Sequence, residues 1–152
     1  MKTQYTKAIK IKDIERSWHL VDVKGKVLGH AATEIAKLLL GKHKSNYSAN
    51  LDCGDYVVVV NSKYIEVTGK KAKEKMYGNY SGFPGGLKSK AFWQVLQEKP
   101  TEPIRHAVWG MIPKNKLRDR LVTRLYIYPE ADHPYEDKFT QTSDFSKKGK
   151  SA

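Results

Sequence analysis

One run of five residues constrains this chain most. Tyr56-Val57-Val58-Val59-Val60 sets four β-branched side chains in succession. β-Branched residues favour extended backbone, and a strand with one wet face would alternate apolar with polar residues. An unbroken apolar strand is buried on both faces, as in a parallel sheet covered by other layers. Parallel strands need long crossovers, usually helical, so helices should stand between this strand and its neighbours.

The flanking sequence supplies them. Trp18–Val23 reads as a first strand and Asp22–Gly25 as a tight turn. Leu28, Ala31, Ala32, Ile35, Leu38 and Leu39 then recur at spacings of one helical face. Gly41 stands where a helix C-terminus wants a left-handed residue, with Lys42 and Lys44 behind it. Asn46–Asp55 is polar and loop-like. Tyr64–Thr68 reads as a short strand that Gly69 breaks. Ser89 is placed to cap a helix built on Ala91, Phe92, Val95 and Leu96. Pro103 opens another, with Ile104, Ala107, Val108 and Met111 on one face and Pro113 as its stop. Lys114–Arg124 is expected to be partly helical, and Leu125–Tyr128 to be a last strand. This order predicts one α/β domain with a mainly parallel, four-stranded sheet, basic loops and flexible termini. Residues 1–139 form that domain, beginning with a basic arm, and the polar residues 140–152 form a disordered tail.

Charge points to a partner. Lys and Arg number 28 against 16 Asp and Glu, a net charge of +12. Such an excess repels itself, and a polyanion would relieve it. The charge is also segregated. Residues 61–90 hold seven basic and two acidic side chains, residues 105–124 hold six and one, and residues 1–16 hold five and two. The intervening stretches are close to neutral, whereas a merely solubilising surface would mix signs. A membrane partner is not expected, because no run approaches the roughly 18 apolar residues of a spanning helix. Met1–Lys12 lacks the apolar core of a secretory signal. Cys53 is the only cysteine, so an internal disulfide is impossible.

Catalytic and metal motifs are not found. Gly41-Lys42 and Gly69-Lys70 could each end a phosphate-binding loop, but Ala36 and Tyr64 stand where its first glycine belongs. His43 and Lys71 replace its Ser or Thr. His19, His30, His43, His106 and His133 show no paired ligand spacing, so a metal would need distant residues to converge. Asp52 and Asp55 could be a carboxylate pair, and a loop entering a buried strand explains them equally well. No catalytic residue, metal, cofactor or small-molecule substrate is therefore expected.

The stretch Lys70–Lys90 is the most unusual. Lys70, Lys71, Lys73, Lys75, Lys88 and Lys90 interleave with Tyr77, Tyr80 and Phe83. Ser81-Gly82-Phe83-Pro84-Gly85-Gly86 cannot be helix or central strand, and a structured loop is expected. Lysines neutralise phosphates, Gly85 and Gly86 let a backbone approach a sugar-phosphate chain, and the aromatic rings can stack on unpaired bases. Alternatively the rings anchor the loop to its own domain. RNA is the partner that this combination fits best.

These residues also resemble a known family, the bacterial large-subunit ribosomal protein L-thirteen. The likeness begins at Trp18-His19-Leu20-Val21-Asp22 and Leu28-Gly29-His30-Ala31-Ala32-Thr33. It continues through Gly54–Asn61 and Val67-Thr68-Gly69-Lys70-Lys71, and is strongest at Ser81–Lys88 and Gly110–Asn115. It ends near His133-Pro134. The chain departs from the pattern at His30, where the family has Arg, and at Tyr80 and Tyr135, where it has His. The resemblance implies a three-layer α/β/α domain without catalysis or cofactor. It implies a protein that binds large-subunit ribosomal RNA and helps its early assembly, beside neighbouring large-subunit ribosomal proteins. The contacts would come from Lys70, Lys71, Lys73, Lys75, Tyr77, Tyr80, Phe83, Gly85, Gly86 and Lys88, and from a second patch of Lys114, Asn115, Lys116, Arg118, Arg120 and Arg124. The alternative is a free translational regulator that carries the same surface to a messenger RNA.

Overall fold

The computed structural model describes residues 10–140. The first nine residues of the basic arm and the tail beyond residue 140 lie outside them. The central strand is β2 (Tyr56–Val60), paired in parallel with β1 (Trp18–Asp22) and with β5 (Leu125–Ile127). Trp18 lies opposite Tyr56, and Val57 opposite Leu125. Its middle position explains the unbroken valines: Val57, Val58 and Val59 are fully buried.

The two faces of the sheet are covered differently. Val21, Val57, Val59, Leu125 and Ile127 face the main core. There they meet Ala31, Ala32, Ile35 and Leu39 of α1 (Leu28–Leu40), and Ile104 and Val108 of α4 (Glu102–Met111). On the other face, Trp18 stacks on Tyr56 at 4.5 Å and on Tyr126 at 5.9 Å between ring centroids. Tyr135 and Phe139 close over these rings, and the short α6 (Glu136–Thr140) lies against β1. The second outer layer is therefore mostly aromatic rings and a single helical turn, not a set of long helices.

The parallel sheet has three strands among the described residues, not four. The stretch expected to be the fourth, Tyr64–Thr68, follows Asn61 in the left-handed conformation (φ 61°) and starts on the last residue of a 3-10 turn over Ser62–Tyr64. Extended backbone then lasts only long enough for one parallel bridge, Val27 with Glu66. Gly69, at φ 64°, turns the chain away.

The basic, glycine-containing stretch is more regular than its sequence suggests. After the single turn of α2 (Lys71–Glu74), β3 (Met76–Tyr80) pairs antiparallel with β4 (Leu87–Ala91). The loop expectation holds for the tip alone. There the Ser81 N–H donates to the Gly86 carbonyl (3.3 Å), and the Gly86 N–H to the Phe83 carbonyl (2.9 Å). A Cβ at Gly86 would stand 2.1 Å from Ser81 Oγ and 2.9 Å from the Phe83 carbonyl oxygen, so the tip closes only around glycine. Ser89 lies within β4 and caps nothing. The next helix, α3 (Phe92–Glu98), begins later, where Gln94 Oε1 accepts the Ala91 N–H (3.1 Å).

The remaining expectations hold in outline. Gly41 ends α1 at φ 75°, and Pro103 sits in the first turn of α4. The Lys114–Arg124 segment contains α5 (Arg118–Val122). The loop from α1 to β2 returns tightly against the helix: a Cβ at Gly54 would lie 1.7 Å from the Leu39 carbonyl oxygen.

Candidate nucleic-acid interface

Part of the basic stretch Lys70–Lys90 lies at the carboxyl end of the parallel sheet, the edge where open α/β sheets place their ligands. A groove of about 610 Å³ opens there. Gly29, His30 and Thr33 of α1 line one side, Lys71 and Lys75 another, and Met111 of α4 a third. No side chain caps the N-terminus of α1, so its first-turn amide dipoles add to the positive field. Lys70, Lys71, Lys73 and Lys75 are all exposed, because a single helical turn has too little surface to bury them. The N–H groups of Lys73 and Glu74 donate to the Lys70 carbonyl (3.1 Å each), which fixes the backbone that carries the lysines.

The second basic segment leaves α4 at the rim of this groove, just past Met111. Lys114, Asn115, Lys116 and Arg120 are exposed. Asn115 Oδ1 accepts the Leu117 N–H (3.2 Å) and so shapes the turn into α5. Arg118 is committed to its own domain. Its Nη2 donates to the carbonyls of Trp109 (2.6 Å) and Ile112 (3.0 Å), and its guanidinium lies 4.6 Å from the Trp109 ring centroid. It is a brace for the end of α4.

The hairpin aromatics divide into two roles. Tyr77 points inward against Phe92 and His106, with ring centroids at 6.4 and 5.4 Å, so it anchors the hairpin. Burial raises its phenol above the ordinary range. Tyr80 and Phe83 are 62% and 73% exposed, and both remain free to stack on a ligand. Gly85 lies at the exposed tip (φ 72°) and Gly86 is half-buried beneath it. Lys88 and Lys90 project from β4, and Lys90 pairs with Glu98.

Arg124 differs from the exposed cations. It is 7% exposed and its guanidinium grips Asp52, with Nη1 to Oδ2 at 2.6 Å. Its guanidinium is turned into the domain and neutralised by a carboxylate. Its place at the amino end of β5 sets it beside the loop from α1 to β2, away from the groove.

The same end of the sheet holds a polar hub that the sequence reading left undecided. Asp55 is fully buried. Its Oδ2 lies 2.9 Å from His19 Nε2 and 3.0 Å from His43 Nε2, while its Oδ1 accepts Lys44 Nζ and the Ser17 N–H (3.0 Å). Lys44 also donates to the Glu15 carbonyl (2.6 Å). Burial pushes the Asp55 carboxyl upward, but hydrogen bonds from His19, Lys44 and Ser17 overcome it and hold the group at about 2. Asp52 likewise sits below the ordinary range: Arg124, with Arg16, outweighs its desolvation. These residues bind together segments far apart in sequence, and only the parallel pairing of His19 with Val57 could have hinted at it.

The hub has a pH signature. A carboxyl whose folded value is depressed contributes stability above the unfolded value, and loses it as pH falls through the folded one. For Asp55 the window runs from the ordinary 3.8 down to about 2. The expected loss is on the order of 2 kcal/mol. Urea unfolding of the chain at pH 5 and pH 2.5 should show a drop to which the other depressed carboxyls, Asp52 and Asp22, also contribute; equal free energies would contradict the hub's geometry.

A family model described as Ribosomal protein L13 matches residues 16–134. The chain is 50% identical over 130 residues to the large ribosomal subunit protein uL13 of Dehalococcoides mccartyi (strain CBDB1), covering 86% of this chain and 91% of that one. It is 46% identical over 144 residues to the protein of the same description in Geobacter sulfurreducens, covering 95% and 99%. With that of Clostridioides difficile it shares 46% identity over 133 residues, 88% and 93% of the two chains.

Proposed function

Because the chain belongs to the ribosomal protein L13 family, we propose that it is a structural protein of the large ribosomal subunit that binds large-subunit ribosomal RNA and supports its early folding. Like the rest of this family of structural proteins, it is not an enzyme. Its place is in the cytoplasmic ribosome, beside neighbouring large-subunit proteins.

The observation that carries the reading is a groove at the carboxyl end of the sheet lined by Lys71 and Lys75, within a stretch of exposed lysines. Lys70, Lys71, Lys73, Lys75 and Lys88 of the first basic stretch neutralise phosphates, and Lys114, Lys116 and Arg120 of the second add to them. The start of α1, which no side chain caps, lines the groove. Tyr80 and Phe83 at the projecting hairpin stack on unpaired bases, and Gly85 lets the RNA backbone come close. Residues 1–139 act as one RNA-binding unit, with the basic arm extending the footprint. A rigid α/β core thus clamps separate RNA segments by shape and charge.

Sedimentation of the tagged chain in a lysate, repeated across salt concentrations, tests this. Contacts to 6–10 phosphates alone would weaken by about 10³–10⁵ between 50 and 200 mM salt. The expected result is co-migration with large subunits that survives high salt, because shape complementarity adds to charge. A chain found mainly in ribosome-free fractions would instead favour a free regulator acting on a messenger RNA.

A further inference from the structure

We propose that His19, His43 and Asp55 form a structural site for a divalent transition-metal ion, zinc foremost. The reading is independent of RNA binding and lies at the opposite end of the sheet from the groove.

Three donors from separate elements lie close together. His19 comes from β1, His43 from the turn after α1, and Asp55 from the residue before β2. Their nearest ligand atoms all lie within 4.8 Å of one another. Both Nε2 atoms approach the same oxygen, Asp55 Oδ2, at 2.9 and 3.0 Å. Zinc bonds to nitrogen and oxygen are about 2.0–2.2 Å, so tetrahedral donors stand roughly 3.3 Å apart. Each imidazole would need to retreat from Oδ2 by only a few tenths of an ångström for an ion to enter between them. The two rings meet edge to face, with centroids 5.4 Å apart, so neither blocks the other.

The surroundings suit a bound ion. Lys44 and the Ser17 N–H hold Oδ1, which fixes the carboxylate plane and leaves Oδ2 to bind; such outer partners orient metal ligands. The histidine side chains are 30% and 32% exposed, which gives an entry path and room for water at a fourth position. Two imidazoles and one carboxylate favour zinc, copper or nickel over magnesium or calcium. The Lys44 charge weakens the site relative to one without a neighbouring cation. The ion would staple the loop between α1 and β2 onto β1, joining elements that the hydrogen bonds of the hub already bring together.

The test is calorimetric titration of the full-length, metal-stripped chain with Zn²⁺ at neutral pH, with Co²⁺ absorption as a report on geometry. One equivalent is expected to bind, with visible cobalt bands of a tetrahedral site and a raised thermal midpoint. His19→Gln and His43→Gln should each weaken binding at least tenfold, whereas His106→Gln should not. Proton NMR of the unaltered chain keeps the question open should a variant fail to fold: Zn²⁺ should move the ring signals of His19 and His43 and leave those of His30, His106 and His133 in place. No saturable binding, affinity unchanged in both variants, or movement of the other histidines instead would overturn the proposal.

Discussion

Exchanging Lys70, Lys71 and Lys73 together for glutamate is expected to stop the chain from entering large ribosomal subunits. All three side chains are exposed and make no ion pair among the described residues, so the fold has no need of them. Their loss is therefore a loss to the partner alone. Each lysine withdrawn from a phosphate should shallow the salt dependence of RNA binding by about one, giving a slope change of about three. The added negative charges repel the same phosphates, and an affinity loss of roughly 100-fold or more should follow. Binding to large-subunit RNA across a salt series measures slope and affinity together, and far-ultraviolet circular dichroism checks the fold. Normal incorporation of the triple variant would remove the groove from the proposed interface.

Arg124→Met should do the reverse: it should damage the fold and spare the surface. The guanidinium is nearly fully buried against Asp52, and its removal leaves that half-buried carboxylate with Arg16, whose side chain is 39% exposed, as its one charged partner among the described residues. Breaking a buried pair from one side costs about 3–5 kcal/mol. Urea denaturation should show this loss in Arg124→Met and less than about 0.5 kcal/mol in the exposed neighbour Arg120→Met. Below its melting temperature, the Arg124 variant should keep the parent's salt slope for RNA, while Arg120→Met lowers it. A stable Arg124→Met chain with weakened RNA binding would return Arg124 to the interface.

Arg120 and Arg124 look alike in the sequence, one helical turn apart in a basic run, and composition cannot tell a phosphate ligand from a buried brace. What separates them is Asp52, seventy-two positions earlier, brought close by the pairing of β2 with β5. The histidines of the hub were unreadable for the same reason: His19 and His43 become neighbours only through the sheet and the return of α1. Local signals were faithful where local physics decides. The valine run announced a doubly covered strand, the apolar spacing of α1 announced its buried face, and Gly41 announced its end. The β3–β4 hairpin escaped notice because Lys, Ser, Gly and Asn are poor strand formers. It pairs because Tyr77 packs beneath it and the glycine tip closes it. The four-strand expectation failed by one element, since Asn61 and Gly69 leave room for a bridge and no more.

The order in which the sheet closes has a consequence for timing. The hairpin that carries Lys88, Tyr80 and Phe83 pairs residues close in the chain, and such local contacts form fast. The sheet does not: Val57 must wait for Leu125, near the end of the described chain. During synthesis, then, a short ribbon rich in cations can take shape while the strand at the centre of the fold still lacks one edge. Until that edge is filled, β2 offers unpaired backbone N–H and C=O groups, flanked by valines, to any other extended segment. Chains released before Leu125–Ile127 are made would carry the basic hairpin formed and the central strand's edge exposed.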